Sequence, residues 1–336
     1  MTEVAPPTAR LRSAFGWEQH CCLPLEAGCD IGPLRRYRDV GVSYLSVNVG
    51  FAPHDIDSTM RVLSSWRRQV LLRPDEFVLA NTTADLLAAQ ESGRLAVGFD
   101  LEDTNPLGGE IGMVQAYYDL GVRSMLMTYN GENLAGFGCH APDDTGLTDF
   151  GRAVVDEMNR VGMVVDASHC GYRTSMEAIE RSSSPVIFSH SSMRALWDHE
   201  RNIRDDQVLA CAATGGVIGI NGVGIFLGEN DIRVQTMARH VDYAVQLAGP
   251  EHVGIGTDYV FDSDDLNREL ANSPHLFSAA YRRWGRMDFV PPEALGPLEA
   301  ELAGLGYPQD AIAGIMGGNF LRVAQQVWRS PAPAGN

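Results

Sequence analysis

The 336-residue chain has few basic side chains for its size. It carries 26 lysines and arginines against 43 aspartates and glutamates, which gives a formal net charge of −17 at neutral pH. Proteins that bind nucleic acid or an anionic membrane surface depend on clustered positive charge. We therefore expect no nucleic acid and no membrane as a partner.

Ordered cysteine patterns and long apolar runs are also missing. The six cysteines include no Cys-x-x-Cys pair and show no regular spacing. No apolar stretch approaches the length of a membrane span, and the first twenty residues lack the apolar run of a signal peptide. The sequence thus predicts a cytoplasmic protein whose thiols are reduced.

What is present is ample material for a core. Hydrophobic residues make up 45% of the chain, the share of an ordinary globular protein, and the length is within the range of one α/β barrel. Residues 1–15 are rich in proline and alanine and are predicted to form a flexible arm. Residues 16–330 are predicted to form a single catalytic domain.

The stretch from residue 162 to residue 191 shows how the chain is organised. An apolar run at 163–167 ends at His169, and a second one at 185–188 ends at His190. The segment between them is long enough for a helix, and strand, helix, strand is the unit of a parallel sheet. The same alternation continues along most of the chain, which predicts a (β/α)8 TIM barrel.

Nine segments are strand candidates, one more than a closed barrel needs. We expect residues 77–81 to be an excursion outside the barrel. The candidates are 19–23, 42–49, 77–81, 95–101, 122–128, 163–167, 185–188, 216–221 and 253–257.

Acidic and imidazole side chains follow four of these strands directly. They are Glu102, His169, His190 and Asp258. Because the carboxyl ends of barrel strands form the active face, all four should meet at one rim. Three of them can bind zinc, and the fourth can move protons. Capping of a strand or a helix explains any one of these residues alone, but it does not explain why four coincide.

These residues and their surroundings resemble the membrane dipeptidase family of zinc peptidases, the renal dipeptidase-like members of the amidohydrolase-type barrels. The resemblance covers about residues 90–325. The matching text reads YYDLGVR at 117–123, GLTDFGRAVVDEMNRVGMVVDASH at 146–169, PVIFSHS at 185–191, VGIGTD at 253–258 and GGNFLR at 317–322.

The resemblance implies a two-zinc barrel that cleaves dipeptides and related amides. It implies that Glu102 bridges both metals and that His169 and His190 bind one of them. It further implies that Arg201 binds the substrate's carboxylate and that Asp258 carries a proton from the metal-bound water to the leaving amine. Family habit also suggests a homodimer.

The first strand departs from the family pattern, which has His-x-Asp. This chain reads His20-Cys21-Cys22. Cys22 could bind zinc as a thiolate, or the first metal position could be weak or empty. A one-residue shift would instead turn Gln19 and Cys21 inward and remove His20 from the site.

A second departure follows the strand at 122–128. The family has Thr-His-Asn, and this chain reads Thr128-Tyr129-Asn130. The hydroxyl of Tyr129 could donate to a developing oxyanion, or the ring could simply shape the pocket. We expect Tyr129 and Asn130 to contact the substrate.

Three hypotheses follow from these residues. The first is a zinc-dependent hydrolase that cleaves an amide bond in a small carboxylate-bearing substrate. The second is a hydrolase or lyase of a non-peptide molecule with a single metal held by Glu102, His169 and His190. The third is a catalytically inactive barrel that binds a ligand.

Overall fold

The computed structural model describes residues 10–13, 15–274 and 276–329. Within them, ten parallel strands form one curled sheet. The strands are β1 Gly16–Cys22, β2 Val42–Asn48, β3 Phe77–Leu79, β4 Leu95–Leu101, β5 Val122–Leu126, β6 Val164–Asp166, β7 Ile187–Phe188, β8 Val217–Ile220, β9 Val253–Ile255 and β10 Tyr259–Val260.

The sheet closes on itself through β9 and β10. Val253 of β9 pairs with Ile218 of β8, whereas Tyr259 of β10 pairs with Cys21 of β1. The two short strands therefore act as a single barrel strand, or stave. It pairs with β8 through β9 and, after residues 256–258, with β1 through β10. With β9 and β10 counted together and β3 set apart, eight staves remain, and the predicted TIM barrel is confirmed.

β3 is the extra strand. It pairs in parallel with the start of β4, from Phe77 opposite Leu95 to Leu79 opposite Val97. β5 takes over the pairing with β4 from Phe99 onward. The predicted excursion at 77–81 is confirmed.

Helices connect the staves, as a parallel sheet requires. They are α1 Arg35–Asp39, α2 Ile56–Leu71, α3 Thr83–Glu91, α4 Gly112–Asp119, α5 Asp149–Val161, α6 Tyr172–Arg181, α7 Asp205–Ala213, α8 Gly224–Leu227, α9 Val234–Ala248, α10 Ser263–Asn272, α11 Leu295–Gly304, α12 Gln309–Ala313 and α13 Asn319–Val327. None of these described helices is long and apolar enough to cross a membrane.

The helix α5, which leads into the central βαβ unit, illustrates how local sequence sets the bounds. Thr148 accepts a hydrogen bond from the Gly151 N–H and so caps the first turn. The helix ends at Gly162, whose φ of 92° suits glycine. Its buried face, which includes Val154 and Met158, packs into the main core.

A second apolar cluster fills the barrel at the amino-terminal ends of the strands. We call it the base cluster, and its members include Trp17, Tyr44, Ile187, Val217 and Phe320. The Trp17 ring lies 4.0 Å from the Tyr44 ring and 5.9 Å from that of Phe320 on α13. The last helix thus closes this end of the barrel with buried aromatic rings.

A bulge in β1 decides which of its side chains face the barrel interior. Glu18 pairs with Leu45 and Cys21 with Val47, so three steps along β1 match two along β2. The extra residue breaks the usual alternation. Gln19 bonds to Ser124 near the base cluster, at 3.3 Å between Nε2 and Oγ.

The next inward side chain above Gln19 is His20, which is fully buried at the opposite, carboxyl end of the barrel. An inward Gln19 therefore does not remove His20 from the site. The domain limits 16–330 and the arm 1–15 stay predictions, because residues 1–9, 14 and 330 lie outside the described residues.

Candidate active site

Three side chains from three different strands of the barrel meet at the carboxyl ends of β4, β6 and β7. His169 Nε2 lies 3.1 Å from Glu102 Oε1 and 3.0 Å from His190 Nε2. His190 Nε2 is 3.6 Å from the same Glu102 oxygen. The structure thus brings together the strand-end residues that the sequence singled out, and all three are buried.

His20 and Asp258 complete this group, which we call the mouth cluster: His20, Glu102, His169, His190 and Asp258. His20 Nε2 lies 3.6 Å from Glu102 Oε1 and 3.7 Å from Asp258 Oδ1. One ligand atom from each of His20, Glu102, His190 and Asp258 lies within 4.8 Å of the others. Two carboxylates and three imidazoles at such distances are a candidate metal centre.

The imidazole of His20 is held from behind by a carboxylate. Its Nδ1 lies 3.0 Å from Asp100 Oδ1, and the other Asp100 oxygen accepts a hydrogen bond of 2.6 Å from Ser46 Oγ. The Asp100 carboxylate lies at Nδ1, so Nε2 is the ring nitrogen that faces Glu102. This is the arrangement by which proteins orient a metal-binding histidine. Burial would lower the pKa of His20, but Asp100, Cys22 and Glu102 outweigh it and raise that pKa well above its usual value.

The other two imidazoles are oriented in the same way. His169 Nδ1 donates to Asn130 Oδ1 at 2.6 Å, and Asn130 Nδ2 donates to the Leu276 carbonyl at 3.0 Å, which fixes the amide orientation. His190 Nδ1 pairs with Ser189 Oγ at 2.7 Å. Three Nε2 atoms therefore converge on one carboxylate oxygen, an arrangement that fits a metal ion which displaces the proton of His20.

Burial keeps two of the imidazoles neutral. Burial and the Arg201 guanidinium lower the pKa of His169 to about 3. The pKa of His190 is lowered well below its usual value by burial, His20 and Arg201. A histidine must be neutral to bind a metal, so both are in the form that a ligand requires.

The charge balance differs at Glu102 and Asp258. Burial would raise the pKa of Glu102, but His20 and His169 outweigh it and lower the pKa to about 2. Burial raises the pKa of Asp258 to about 6. One carboxyl is thus fixed as an anion, whereas the other exchanges a proton near neutral pH.

Two residues of the site have left-handed backbone conformations. His169 has a φ of 63° and Asp258 a φ of 55°. Such conformations cost on the order of 1 kcal/mol or more for non-glycine residues and cluster at functional sites. Here they occur where β6 and β9 end, and they allow each side chain to turn into the mouth.

Cys22 stands next to His20 at this rim. Its Sγ lies 3.5 Å from His20 Nε2. Burial raises the pKa of the Cys22 thiol to about 12, so the sulfur is protonated in these surroundings. A neutral thiol binds zinc poorly unless the metal displaces its proton.

Asn48 at the end of β2 also contacts the mouth cluster, and the sequence analysis did not identify it. Its Nδ2 donates to Glu102 Oε2 at 2.6 Å and lies 4.0 Å from Cys22 Sγ. Its Oδ1 accepts from the Gly50 N–H at 2.8 Å. The only sign of it in the sequence was its position near the end of the predicted strand 42–49.

Tyr129 covers one face of the His169 imidazole. The two rings stack with centroids 4.3 Å apart and an interplanar angle of 23°. Burial raises the pKa of Tyr129 well above its usual value, so the hydroxyl keeps its proton and can donate. Asn130, by contrast, is fully buried behind His169, and its amide is engaged by His169, Leu276 and Tyr281.

Arg201 is a buried cation close to the imidazoles. It is only 2% exposed, and its guanidinium donates to the His190 carbonyl at 3.1 Å and to Ser191 Oγ at 3.4 Å. Its Nε has no partner, and it forms no ion pair within the part of the chain that the structure describes. A buried guanidinium without a counterion favours an anionic ligand.

A cleft leads from the surface to the mouth cluster. One wall is apolar and includes Val223, Phe226, Phe277 and Met287, whereas α10 contributes Asp262, Asp265 and Glu269 at the rim. The sequence analysis placed no element between residues 258 and 291 and so missed this wall. The capping residue Asp262 before Leu266 and Leu270 is the signal that could have revealed α10.

The chain is thus a TIM-barrel protein with a candidate metal centre at the carboxyl ends of its strands. The model of the membrane dipeptidase family, peptidase family M19, matches residues 30–286. This span is most of the chain. The chain therefore belongs to the membrane dipeptidase family, as its motifs suggested.

Two curated relatives support the assignment. The chain is 32% identical to an uncharacterized dipeptidase of Schizosaccharomyces pombe over 244 residues, 67% of this chain and 59% of that protein. It thus spans less than two thirds of the length of that relative. It is 30% identical over 262 residues to an uncharacterized protein in the pqqA 5′ region of Klebsiella pneumoniae, 75% of this chain and 89% of that one.

Solved structures share the fold. An amidohydrolase from Pseudomonas aeruginosa has a TM-score of 0.86 and 27% identity, covering 94% of this chain and 96% of that one. A metallopeptidase from Rhodobacter sphaeroides, liganded with a phosphinate mimic of the dipeptide L-Ala-D-Ala, has a TM-score of 0.76 and 17% identity, covering 93% and 99%. At the latter identity the likeness concerns the fold alone.

Proposed function

We propose that this protein is a zinc-dependent hydrolase of the dipeptidase type that cleaves an amide bond in a small, carboxylate-bearing substrate. The observation that carries the proposal is the convergence of three Nε2 atoms on Glu102 Oε1. Nitrogen and carboxylate oxygen donors at tetrahedral spacing suit zinc. Membership of a peptidase family supports the reaction class.

Each residue of the mouth cluster has a role in this proposal. His20, Glu102, His169 and His190 hold the metal. A bound zinc ion supplies a Lewis acid and a water molecule that ionises near neutral pH. Asp258 takes up a proton at its carboxylate and returns it to the leaving amine, a task for which a pKa of about 6 is suited.

Arg201 is proposed to recognise the substrate's free carboxylate. Its guanidinium is buried beside His190 and is not neutralised by an ion pair among the described residues. A carboxylate brought against it would gain charge-assisted hydrogen bonds. The Rhodobacter sphaeroides metallopeptidase is liganded with a mimic of L-Ala-D-Ala, and by analogy a dipeptide is the proposed substrate of this chain.

Tyr129 is proposed to donate its hydroxyl proton to the oxyanion that develops at the scissile carbonyl. Stacking on His169 fixes the ring beside the metal ligands, and its hydroxyl is a donor at working pH. Asn130 supports the site from behind by orienting His169. We also propose that the protein is cytoplasmic and forms a homodimer.

The test is a hydrolysis assay with matched substrates. We expect turnover of a dipeptide, such as Ala-Ala or Ala-D-Ala, that is lost with chelator and restored by zinc. The C-terminal amide of the same dipeptide is the control, because it lacks the carboxylate that Arg201 binds. Full hydrolytic activity after rigorous demetallation would contradict the mechanism.

A second candidate is a hydrolase of a non-peptide small molecule that uses one metal. Cys22 and Tyr129 favour it, since they stand where the family has an aspartate and a histidine. Turnover of a lactone or a cyclic amide, without turnover of any dipeptide in the panel, would select this candidate.

A further inference from the structure

The two oxygens of Glu102 have different surroundings. Oε1 faces the imidazoles of His20, His169 and His190 at 3.6, 3.1 and 3.6 Å. Oε2 accepts a 2.6 Å hydrogen bond from Asn48 Nδ2. A carboxylate that bridges two cations uses one oxygen for each of them, so in this protein the second oxygen is already engaged.

The orientation of the Asn48 amide is fixed by its other end. Asn48 Oδ1 accepts from the Gly50 backbone N–H at 2.8 Å, which leaves Nδ2 as the atom that faces Glu102. Asn48 is 1% exposed, so the amide has no solvent to turn toward. Turning it would break two buried hydrogen bonds.

The amide nitrogen also lies on the Cys22 side of the site. Nδ2 is 4.0 Å from Cys22 Sγ and 2.6 Å from Glu102 Oε2. A second cation would need ligands from these same two side chains. The NH2 group supplies partial positive charge in that place, and a thiol in place of a carboxylate supplies one fewer negative charge to hold a metal.

The remaining donors have the spacing of one tetrahedral ion. Zinc bonds to nitrogen and oxygen of about 2.0–2.1 Å place neighbouring donors roughly 3.3 Å apart. The observed separations are 3.0 Å between His169 and His190, and 3.1 to 3.6 Å from the imidazoles to Glu102 Oε1. Their ring Nδ1 atoms face Asp100 at 3.0 Å, Asn130 at 2.6 Å and Ser189 at 2.7 Å.

We infer that this chain binds a single divalent cation, through His20, His169, His190 and Oε1 of Glu102, and that the Asn48 amide closes the second metal position beside Cys22. The inference rests on the proposed metal centre but not on the proposed substrate. Asn48 is a positioning residue in this arrangement, because it orients Glu102 without touching the cation.

The experiment counts metal ions in the purified full-length protein. The protein is demetallated, reloaded with excess Zn²⁺, dialysed and analysed by elemental analysis, and the wild type is expected to retain about one zinc per chain. The double variant N48A/C22D, which removes the amide and supplies a carboxylate, is expected to retain two. The matched control N48A/C22S removes the same groups without a new ligand and is expected to retain one.

Cobalt substitution gives a second readout that does not depend on the variants folding. We expect wild-type protein with Co²⁺ to saturate at one equivalent and to show no thiolate-to-cobalt charge-transfer band. Two equivalents in the wild type, with such a band that disappears in C22S, would overturn the inference and identify Cys22 as a ligand.

Failure here is distinguishable from failure of the proposed function. One zinc per chain without turnover of any dipeptide would leave the single-cation inference intact and remove the dipeptidase proposal. Two zincs per chain with zinc-dependent turnover of a dipeptide would overturn the single-cation inference and leave the dipeptidase proposal intact.

Discussion

The two ends of the barrel are built from the same strands but from opposite kinds of side chains. At the base, Trp17, Tyr44 and Phe320 fill the interior with stacked rings. At the mouth, His20 and Glu102 face each other across the same interior with their polar atoms converging. Burial therefore does not separate the two regions, since both are nearly inaccessible to solvent.

The base and the mouth differ in how favourably their buried atoms interact with one another. Apolar rings at the base gain free energy simply by leaving water. At the mouth, ionisable groups are buried within 3.1 to 3.6 Å of one another, and two backbone positions there have left-handed conformations. The comparison indicates that the base contributes stability and that the mouth gives up stability for function. The following predictions test this division, and they begin with the largest expected effect.

Glu102→Gln should nearly abolish activity while the fold persists. The substitution keeps the shape of the side chain but removes the anion that faces three imidazoles. Loss of several kcal/mol of transition-state stabilisation corresponds to a decrease in kcat/KM of about a thousandfold or more. Steady-state kinetics with circular dichroism melting checks this, and retention of a tenth of wild-type activity would contradict it.

Phe320→Ala should have the reverse signature. The Phe320 ring is 2% exposed and packs on Trp17, so its removal leaves a cavity that costs about 3–5 kcal/mol of unfolding free energy. The value of kcat per folded molecule should stay within about twofold of the wild type. Denaturant unfolding measures the first quantity.

Leu305→Ala is the matched control for Phe320→Ala, because Leu305 is 52% exposed. It should change stability by less than about 0.5 kcal/mol. Equal destabilisation by the two substitutions would mean that the base cluster has no special role.

Asp100→Asn should lower the metal affinity of the mouth cluster without abolishing metal binding. Asp100 orients His20 through Nδ1, and loss of such an outer partner typically lowers metal affinity by about 10- to 100-fold. Competition with a chromophoric chelator measures the change. Ser46→Ala removes only the hydrogen bond to the other Asp100 oxygen and should have a smaller effect. An affinity unchanged in Asp100→Asn would show that His20 does not bind the metal.

Glu293→Gln provides a reference at an ion pair that belongs to neither the base cluster nor the mouth cluster. Glu293 accepts two hydrogen bonds from Arg36 at 2.8 and 2.7 Å, and this partner lowers the pKa of the carboxyl. A lowered pKa stabilises the fold above the unfolded value of about 4.5, and the contribution is lost as the pH falls through the folded value.

The expected size is small because both side chains are about one third exposed. Glu293→Gln should cost up to about 1 kcal/mol at pH 7. The difference should shrink as the pH falls below the unfolded value of about 4.5 and should vanish once the pH is below the lowered pKa of the folded carboxyl. Unfolding at a series of pH values measures it, with Asp75→Asn on the exposed surface as the control. A difference that grows toward acid pH would have the wrong sign.

The regular parts of this fold were predictable because they depend on short-range pattern. The apolar run before Glu102 and the two runs before His169 and His190 end where the structure ends its strands, within two residues. The barrel follows from their alternation with helices. The gathering of strand-end residues follows in turn from the barrel.

The parts that escaped prediction depend on three-dimensional contacts. The bulge in β1 arises from pairing with β2, and no residue type in GWEQHCC announces it. The role of Asn48 depends on which Glu102 oxygen it meets. The cleft wall at α10 reaches the site only through the tertiary fold, since the helix lies more than sixty residues from the imidazoles in sequence. The ligand roles of His20 and Cys22 remain predictions that metal counting will decide.

The β1 bulge determines which side chains of this strand face inward at both ends of the barrel. The number of residues in β1 therefore affects the base and the mouth together. Trp17 and His20 are three residues apart, so a strictly alternating strand would turn one of them outward, whereas the extra residue of the bulge lets both face the interior. Substitutions along this strand alter one end at a time, whereas an insertion or deletion disturbs both together. Protein engineers should therefore find β1 tolerant of changed identity at selected positions and intolerant of any change in length.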